Sequence, residues 1–205
     1  MISCIVLAAG MSRRMGAENK MLLPFRDSTI FETTLSNILK ADIGKMVVIV
    51  GYESKKIKNV LENTPLSISS KIHIVENSDY EKGMTTSIKA GIEANQDNHF
   101  MICLSDMPLI TPDEYRFLAA RFSAILKQDE KAIVVPFFKG EKGNPVIFSA
   151  FYIHELLSLS DTEGGKTILQ KYKNHVHNIE MPTDSVLRDA DTPEDYLRLN
   201  RGTDE

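Results

Sequence analysis

The chain has 205 residues, 42% hydrophobic and 25% charged, a size and apolar content that suit one soluble domain spanning 1–205 with a full core. Its 24 Lys and Arg against 28 Asp and Glu give a formal net charge of -4, which excludes a protein that grips nucleic acid through a basic face. Cys4 and Cys103 both lie in apolar runs, no run is long enough to span a membrane and no basic leader precedes the first one, so two buried reduced thiols, no membrane association and a cytoplasmic setting are expected.

The opening run Ile2-Ser3-Cys4-Ile5-Val6-Leu7 is continuously apolar, as a parallel strand covered on both faces must be, and it ends at Ala8-Ala9-Gly10. Apolar residues at helical spacing predict a helix over 30–39, and a second buried strand follows over 45–51. The alternation continues with a helix marked by Ile57, Val60 and Leu61, a strand over 72–75, a helix over 87–94 and a fourth strand over 99–104. Thr111 then caps a helix whose first turn is Pro112-Asp113-Glu114. Strands over 132–136 and 145–148, helices over 152–159 and 166–172, a short strand over 176–179 and a helix from Thr192-Pro193 complete the chain. Alternating strands and helices imply right-handed crossovers and a Rossmann-like, doubly wound, mostly parallel α/β sheet with ligands at the carboxyl ends of its strands.

The residues after those strands carry the chemistry. Small residues at Ala8-Ala9-Gly10 let a ligand approach the main chain, and Ser12, Arg13, Arg14 and Lys20 beyond them make that ligand an anion, read here as the polyphosphate of a nucleoside triphosphate. It is not a Walker loop, since Gly16 is followed by Ala17-Glu18, nor a dinucleotide fingerprint, which needs three close glycines. Asp106, in Ser105-Asp106-Met107-Pro108, leaves a buried strand into a proline-stiffened turn, a good position for a magnesium ligand. In an extended approach to the last helix, Asp189 and Asp191 point the same way and can share one cation. Gly83, Thr86 and Ser87 put free backbone groups and hydroxyls at a helix start, where a nucleobase edge can be read. The stretch Lys139 to Phe148 reads as a glycine-rich hairpin, and His175 and His177 alternate on a strand with no third metal ligand near in sequence, so neither receives a role.

Taken together, Leu7-Ala8-Ala9-Gly10, Ser12, Arg14-Met15-Gly16, Lys20, Leu23-Pro24, the Asp106-Met107-Pro108 turn, Gly83-Met84 with Ser87-Ile88, and Asp191 before Thr192-Pro193 resemble the molybdenum-cofactor nucleotidyltransferases. The resemblance implies the nucleotide-diphospho-sugar transferase type of fold, with Arg14 and Lys20 on triphosphate oxygens and catalytic together with Asp106. It also implies Mg2+ on Asp106 and Asp191, the base at Gly83, Thr86 and Ser87, and a molybdopterin-type acceptor at Gly143-Asn144-Pro145, followed by the motif Asp161-Thr162-Glu163-Gly164-Gly165-Lys166. Related enzymes that use GTP read Leu-Ala-Gly-Gly where this chain has Leu7-Ala8-Ala9-Gly10, so CTP is expected over GTP. Many members carry histidine or arginine where Asn144 stands here, and Glu163 is inserted near the second motif, which leaves a sugar 1-phosphate or another phosphorylated alcohol as alternative acceptors. Two further readings are a noncatalytic nucleotide-binding regulator and a partner that delivers the cofactor to a molybdenum hydroxylase.

Overall fold

In the computed structural model, which describes residues 2–15, 19–63, 72–95, 99–161 and 163–200, strand β1 (Ile2–Ala8) is buried at every position. Its side chains alternate between two cores: Cys4, Val6 and Ala8 face one layer of helices, Ile5 and Leu7 the other. A two-residue hairpin of β2 (Pro24–Phe25) and β3 (Ser28–Thr29) leads into α1 (Ile30–Ala41). Thr29 starts α1 through a reciprocal cap, its hydroxyl accepting the Glu32 N–H at 3.1 Å while the Glu32 carboxylate accepts the Thr29 N–H at 3.2 Å. Then come β4 (Met46–Val50), α2 (Ser54–Glu62), β5 (Ile72–Glu76), α3 (Met84–Glu93), β6 (His99–Leu104) and α4 (Pro112–Leu126). Strand β7 (Ile133–Phe138) turns back through β8 (Glu141–Lys142) to β9 (Val146–Phe148), and α5 (Ile153–Leu157), α6 (Gly165–Lys171), β10 (Val176–Glu180) and α7 (Pro193–Asn200) follow.

The main sheet runs β10-β7-β9-β6-β1-β4-β5, with β8 paired to β7. Strands β6, β1, β4 and β5 are parallel neighbours and β10 is parallel to β7, while β9 lies antiparallel to both β7 and β6. The doubly wound, mostly parallel expectation holds, and the hairpin expected over Lys139 to Phe148 is the device that inserts β9 into the sheet. Because the chain moves outward from β1 to β4 and β5 and then returns to β6, the order reverses between β1 and β6, and a crevice opens at their carboxyl ends.

Helix boundaries differ from the pattern where apolar spacing is silent. α3 begins at Met84 instead of Ser87, because Gly83 at φ 130° ends the preceding turn. The helix expected over 152–159 is a one-turn helix, Ala150–Tyr152, running into α5. Both cysteines are buried and free, and burial first, then the neighbouring Cys4, hold the Cys103 thiol well above its usual value. His175 and His177 grip opposite sides of one carboxylate, with His175 Nδ1 at 2.9 Å from Asp129 Oδ1 and His177 Nε2 at 2.9 Å from Oδ2. Burial raises the Asp129 pKa, but the hydrogen bonds from His177 and His175 outweigh it and hold the carboxyl below its ordinary range.

Candidate active site

A cavity of about 330 Å3 occupies the crevice between the ends of β1 and β6. One wall is the first loop. Leu7 and Ala9 line it, and a Cβ added at Gly10 would meet nothing within 4 Å, so the main chain there is open to a ligand. A Cβ at Gly51 would stand 2.8 Å from that of Ala9 and 2.7 Å from that of Tyr80, so only glycine lets the end of β4 pack here and bring Tyr80 to the cavity. Ala8 faces the opposite core, with Val6 and Val50. Ser12 braces the loop: its carbonyl accepts the Met15 N–H at 2.9 Å and its hydroxyl the Lys20 N–H at 3.4 Å. Gly16, part of the expected phosphate loop, lies outside the described residues, as does Thr162.

The return of this loop is tied down by Asn19, whose side chain accepts the Met21 N–H at 3.2 Å and donates to Glu53 Oε2 at 3.2 Å. That anchor aims Lys20 inward. Its Nζ contacts the Asp106 carboxylate and lies 2.6 Å from Asp191 Oδ1, while Arg14 Nη2 lies 2.8 Å from Asp191 Oδ2. Lys20 is 17% exposed and Arg14 70%, so one cation is built into the floor and the other reaches over from the rim. Burial lowers the Lys20 pKa, but the charges and hydrogen bonds of Asp106 and Asp191 overcome this and leave it above 10.5.

Asp191 arrives from a distant part of the chain. Glu114 of α4 uses one oxygen for its own cap and the other to accept from Thr183 at 2.6 Å and Ser185 at 2.9 Å, which docks the C-terminal segment beside β7. The Ala190 N–H then bonds the Asp106 carbonyl at 3.2 Å, and buried Ala190 turns Asp189 and Asp191 together toward Asp106. One ligand atom from each of the three carboxylates lies within 4.8 Å of the others. Burial, then the charges of Asp106 and Asp191, push the Asp189 pKa up to about 6 despite Lys20 nearby. Burial raises the Asp191 pKa as well, but Lys20 and then Arg14 hold it below its ordinary value. Three carboxylates faced by two cations leave an unbalanced negative charge, and an all-oxygen donor set of this kind fits a hard divalent cation.

The other end of the cavity is formed by Tyr80, Glu81, Gly83, Met84, Ser87 and Leu104. The Thr86 hydroxyl is occupied inside the turn, 2.9 Å from the Gly83 carbonyl and 3.1 Å from that of Asp79. Gly143, Asn144 and Pro145 do not line the cavity. They form the turn into β9, which pairs with β6 from Val146 opposite Ile102, and the Asn144 N–H bonds the Val186 carbonyl at 2.9 Å. A Cβ on Gly143 would stand 2.2 Å from that carbonyl, so this glycine is required by packing. The motif around Asp161 and Glu163 packs on the start of α3, through Lys89 to Asp161 at 3.1 Å and through Thr85 to the Glu163 carbonyl. Asp189 and Tyr80 are the site features that sequence reasoning leaves open or misses; the period-two spacing of Asp189 and Asp191 is the available signal for the first, and nothing local marks the second.

A doubly wound sheet with a cationic loop after its first strand and a carboxylate cluster across the switch point defines an α/β nucleotidyltransferase. A family model described as "MobA-like NTP transferase domain" matches residues 4–176, and the chain belongs to that family. It is 29% identical over 196 residues to the molybdenum cofactor cytidylyltransferase of Escherichia coli, covering 96% of this chain and 94% of that protein. It is also 25% identical to the nicotine blue oxidoreductase of Paenarthrobacter nicotinovorans, over 97% of this chain and 96% of that one. Among solved structures, a nucleotidyl transferase from Methanothermobacter thermautotroptrophicus superposes with a TM-score of 0.82 at 22% identity, covering 98% of this chain and 96% of that chain, which supports the fold. Among the described residues, no helix is long and apolar enough to cross a membrane.

Proposed function

We propose that this protein transfers CMP from CTP to the terminal phosphate of a molybdopterin-type acceptor in the cytoplasm, releasing pyrophosphate. The observation that carries this reading is the meeting of Lys20 and Arg14 with Asp106, Asp189 and Asp191 at one end of a cavity whose other end is lined by Tyr80, Glu81, Gly83, Met84 and Ser87. The acceptor phosphate oxygen attacks the α-phosphorus, the bond from that phosphorus to the bridging oxygen breaks, and pyrophosphate leaves; a phosphate is already a nucleophile, so alignment and charge neutralisation suffice. Asp106, Asp191 and Asp189 would hold magnesium, which supplies charge neutralisation at the triphosphate. Lys20 and Arg14 bind phosphate oxygens, and the open main chain at Gly10 lets the phosphates lie against the loop. Gly143, Asn144 and Pro145, in the turn that leads into β9 beside β6, carry the acceptor side. Ala9, packed against Gly51 and lining the cavity, narrows the base end and favours a single-ring pyrimidine. The 29% identity to the cytidylyltransferase supports the choice of nucleotide and acceptor.

Incubation with each of the four nucleoside triphosphates, molybdopterin and magnesium, followed by pyrophosphate release, tests the reading. Release with CTP that requires molybdopterin is the expected result. Release with a sugar 1-phosphate instead would move the acceptor, and nucleotide binding with no release under any pairing would mark a noncatalytic member.

A further inference from the structure

Asn77 stands just beyond β5, is buried, and has no place in the charge cluster. Its backbone N–H continues the sheet by bonding the Val50 carbonyl at 2.8 Å. Its side chain oxygen accepts the Asp79 N–H at 2.9 Å, and since a backbone N–H can only donate, that contact fixes which end of the amide is oxygen. The amide nitrogen therefore faces the start of α3, where it donates to Thr86 Oγ1 at 2.8 Å and to Ser87 Oγ at 3.0 Å, using both of its protons. Each hydroxyl, having accepted, must send its own proton elsewhere. Thr86 sends its proton to the carbonyls of Gly83 or Asp79. Ser87 lines the cavity, and among the described residues nothing accepts its proton.

We infer that Asn77 is a positioning residue that sets the hydrogen-bond polarity of the nucleobase subsite, by making Ser87 a donor into the cavity. A fixed donor suits a base that presents an acceptor there. Cytosine carries an unprotonated ring N3 beside its carbonyl, whereas uracil carries N3–H, and a donor facing a donor leaves both without a partner. The polarity of Ser87 thus separates two pyrimidines of the same size, which the Ala9 methyl cannot do.

This inference rests on the nucleotidyltransferase reading, and its test separates the two. Dissociation constants of CTP and UTP with magnesium would be measured by calorimetry on the full chain for wild type, Asn77→Asp and Ser87→Ala. Asn77→Asp keeps the oxygen that holds the Asp79 N–H but turns the other end into an acceptor, so Ser87 spends its proton on the introduced carboxylate in place of the cavity. A general electrostatic or structural cost weakens CTP and UTP alike, so the readout is their ratio. The expected result is a wild-type preference for CTP that falls by about tenfold in both variants, the scale of one misplaced hydrogen bond. A wild type that binds neither nucleotide would overturn the nucleotidyltransferase reading and this inference with it. A wild type that binds both equally, or variants that keep the wild-type ratio, would overturn the inference alone. Ser87→Ala carries the test if Asn77→Asp does not fold.

Discussion

Replacing Lys20 by methionine keeps most of the unbranched side chain and deletes the charge that lies between Asp106 and Asp191. Lys20 is 17% exposed and Asp106 6%, so the ammonium and its main partner are both largely removed from water. Taking away one partner of a buried ion pair costs about 3–5 kcal/mol, because the remaining charge is left unpaired. Arg14 still faces Asp191, which is 27% exposed, so the low end applies, about 3 kcal/mol. For a chain of this length each kcal/mol moves Tm by roughly 2–4 °C, so Lys20→Met should melt roughly 6–12 °C below wild type in EDTA. The lysine pKa is raised above 10.5, so its contribution is fully present below that value and is lost only as pH rises through the folded-state pKa. The lysine therefore stays charged across neutral pH, and the gap in Tm should narrow as pH falls toward 6, where proton uptake by Asp189, easier without Lys20, relieves the unpaired charge. Magnesium should stabilise the variant more than wild type, since a divalent cation restores the positive charge the three carboxylates have lost. Thermal unfolding followed by circular dichroism, with EDTA and with magnesium, measures both effects. A variant that melts within about 2 °C of wild type in EDTA, or that gains no more from magnesium than wild type does, would refute the reasoning.

Asp106→Asn should leave the fold intact and lower turnover by about a hundredfold, close to 3 kcal/mol of barrier, measured as pyrophosphate release at saturating magnesium; wild-type turnover would remove Asp106 from the chemistry. Ala9→Gly should raise kcat/KM for GTP relative to CTP by about 1–3 kcal/mol in steady-state comparison, and no gain for GTP would end the steric account of base choice. Asp129, whose pKa is depressed, contributes stability above its unfolded pKa and loses it as pH falls through the folded value. The denaturant midpoint of Asp129→Asn should accordingly fall further below wild type near pH 5 than near pH 3, and an equal deficit at both would mean that ionisation of this carboxylate does not matter.

The elements that the sequence shows plainly are those fixed by local chemistry. Seven buried positions in a row can only be a strand covered on both faces, and the Thr111-Pro112-Asp113-Glu114 start of α4 is found where its cap predicts. The helix at Met84 starts three residues ahead of the pattern because Met84 is exposed and Thr85 and Thr86 are polar, so no apolar spacing marks its first turn. At the site, sequence pattern selects Lys20, Asp106 and Asp191 as separate signals, yet nothing local says that Lys20 lies against both carboxylates. His175 and His177 show the same gap, because the group they hold, Asp129, comes from the loop after α4. The second oxygen of Glu114 is a further case: its cap is legible, its grip on Thr183 and Ser185 is not.

Lys20 and Asp191 meet across 171 residues of chain. A ribosome that has delivered β1, β4, β5 and β6 has delivered the crevice and its cationic loop, but only one of the three carboxylates. Until Ala190 docks on the Asp106 carbonyl, Lys20 has only Asp106 to neutralise it, and the set of oxygen ligands is incomplete. Vectorial synthesis thus completes the carboxylate set last, when the C-terminal segment has docked on Glu114.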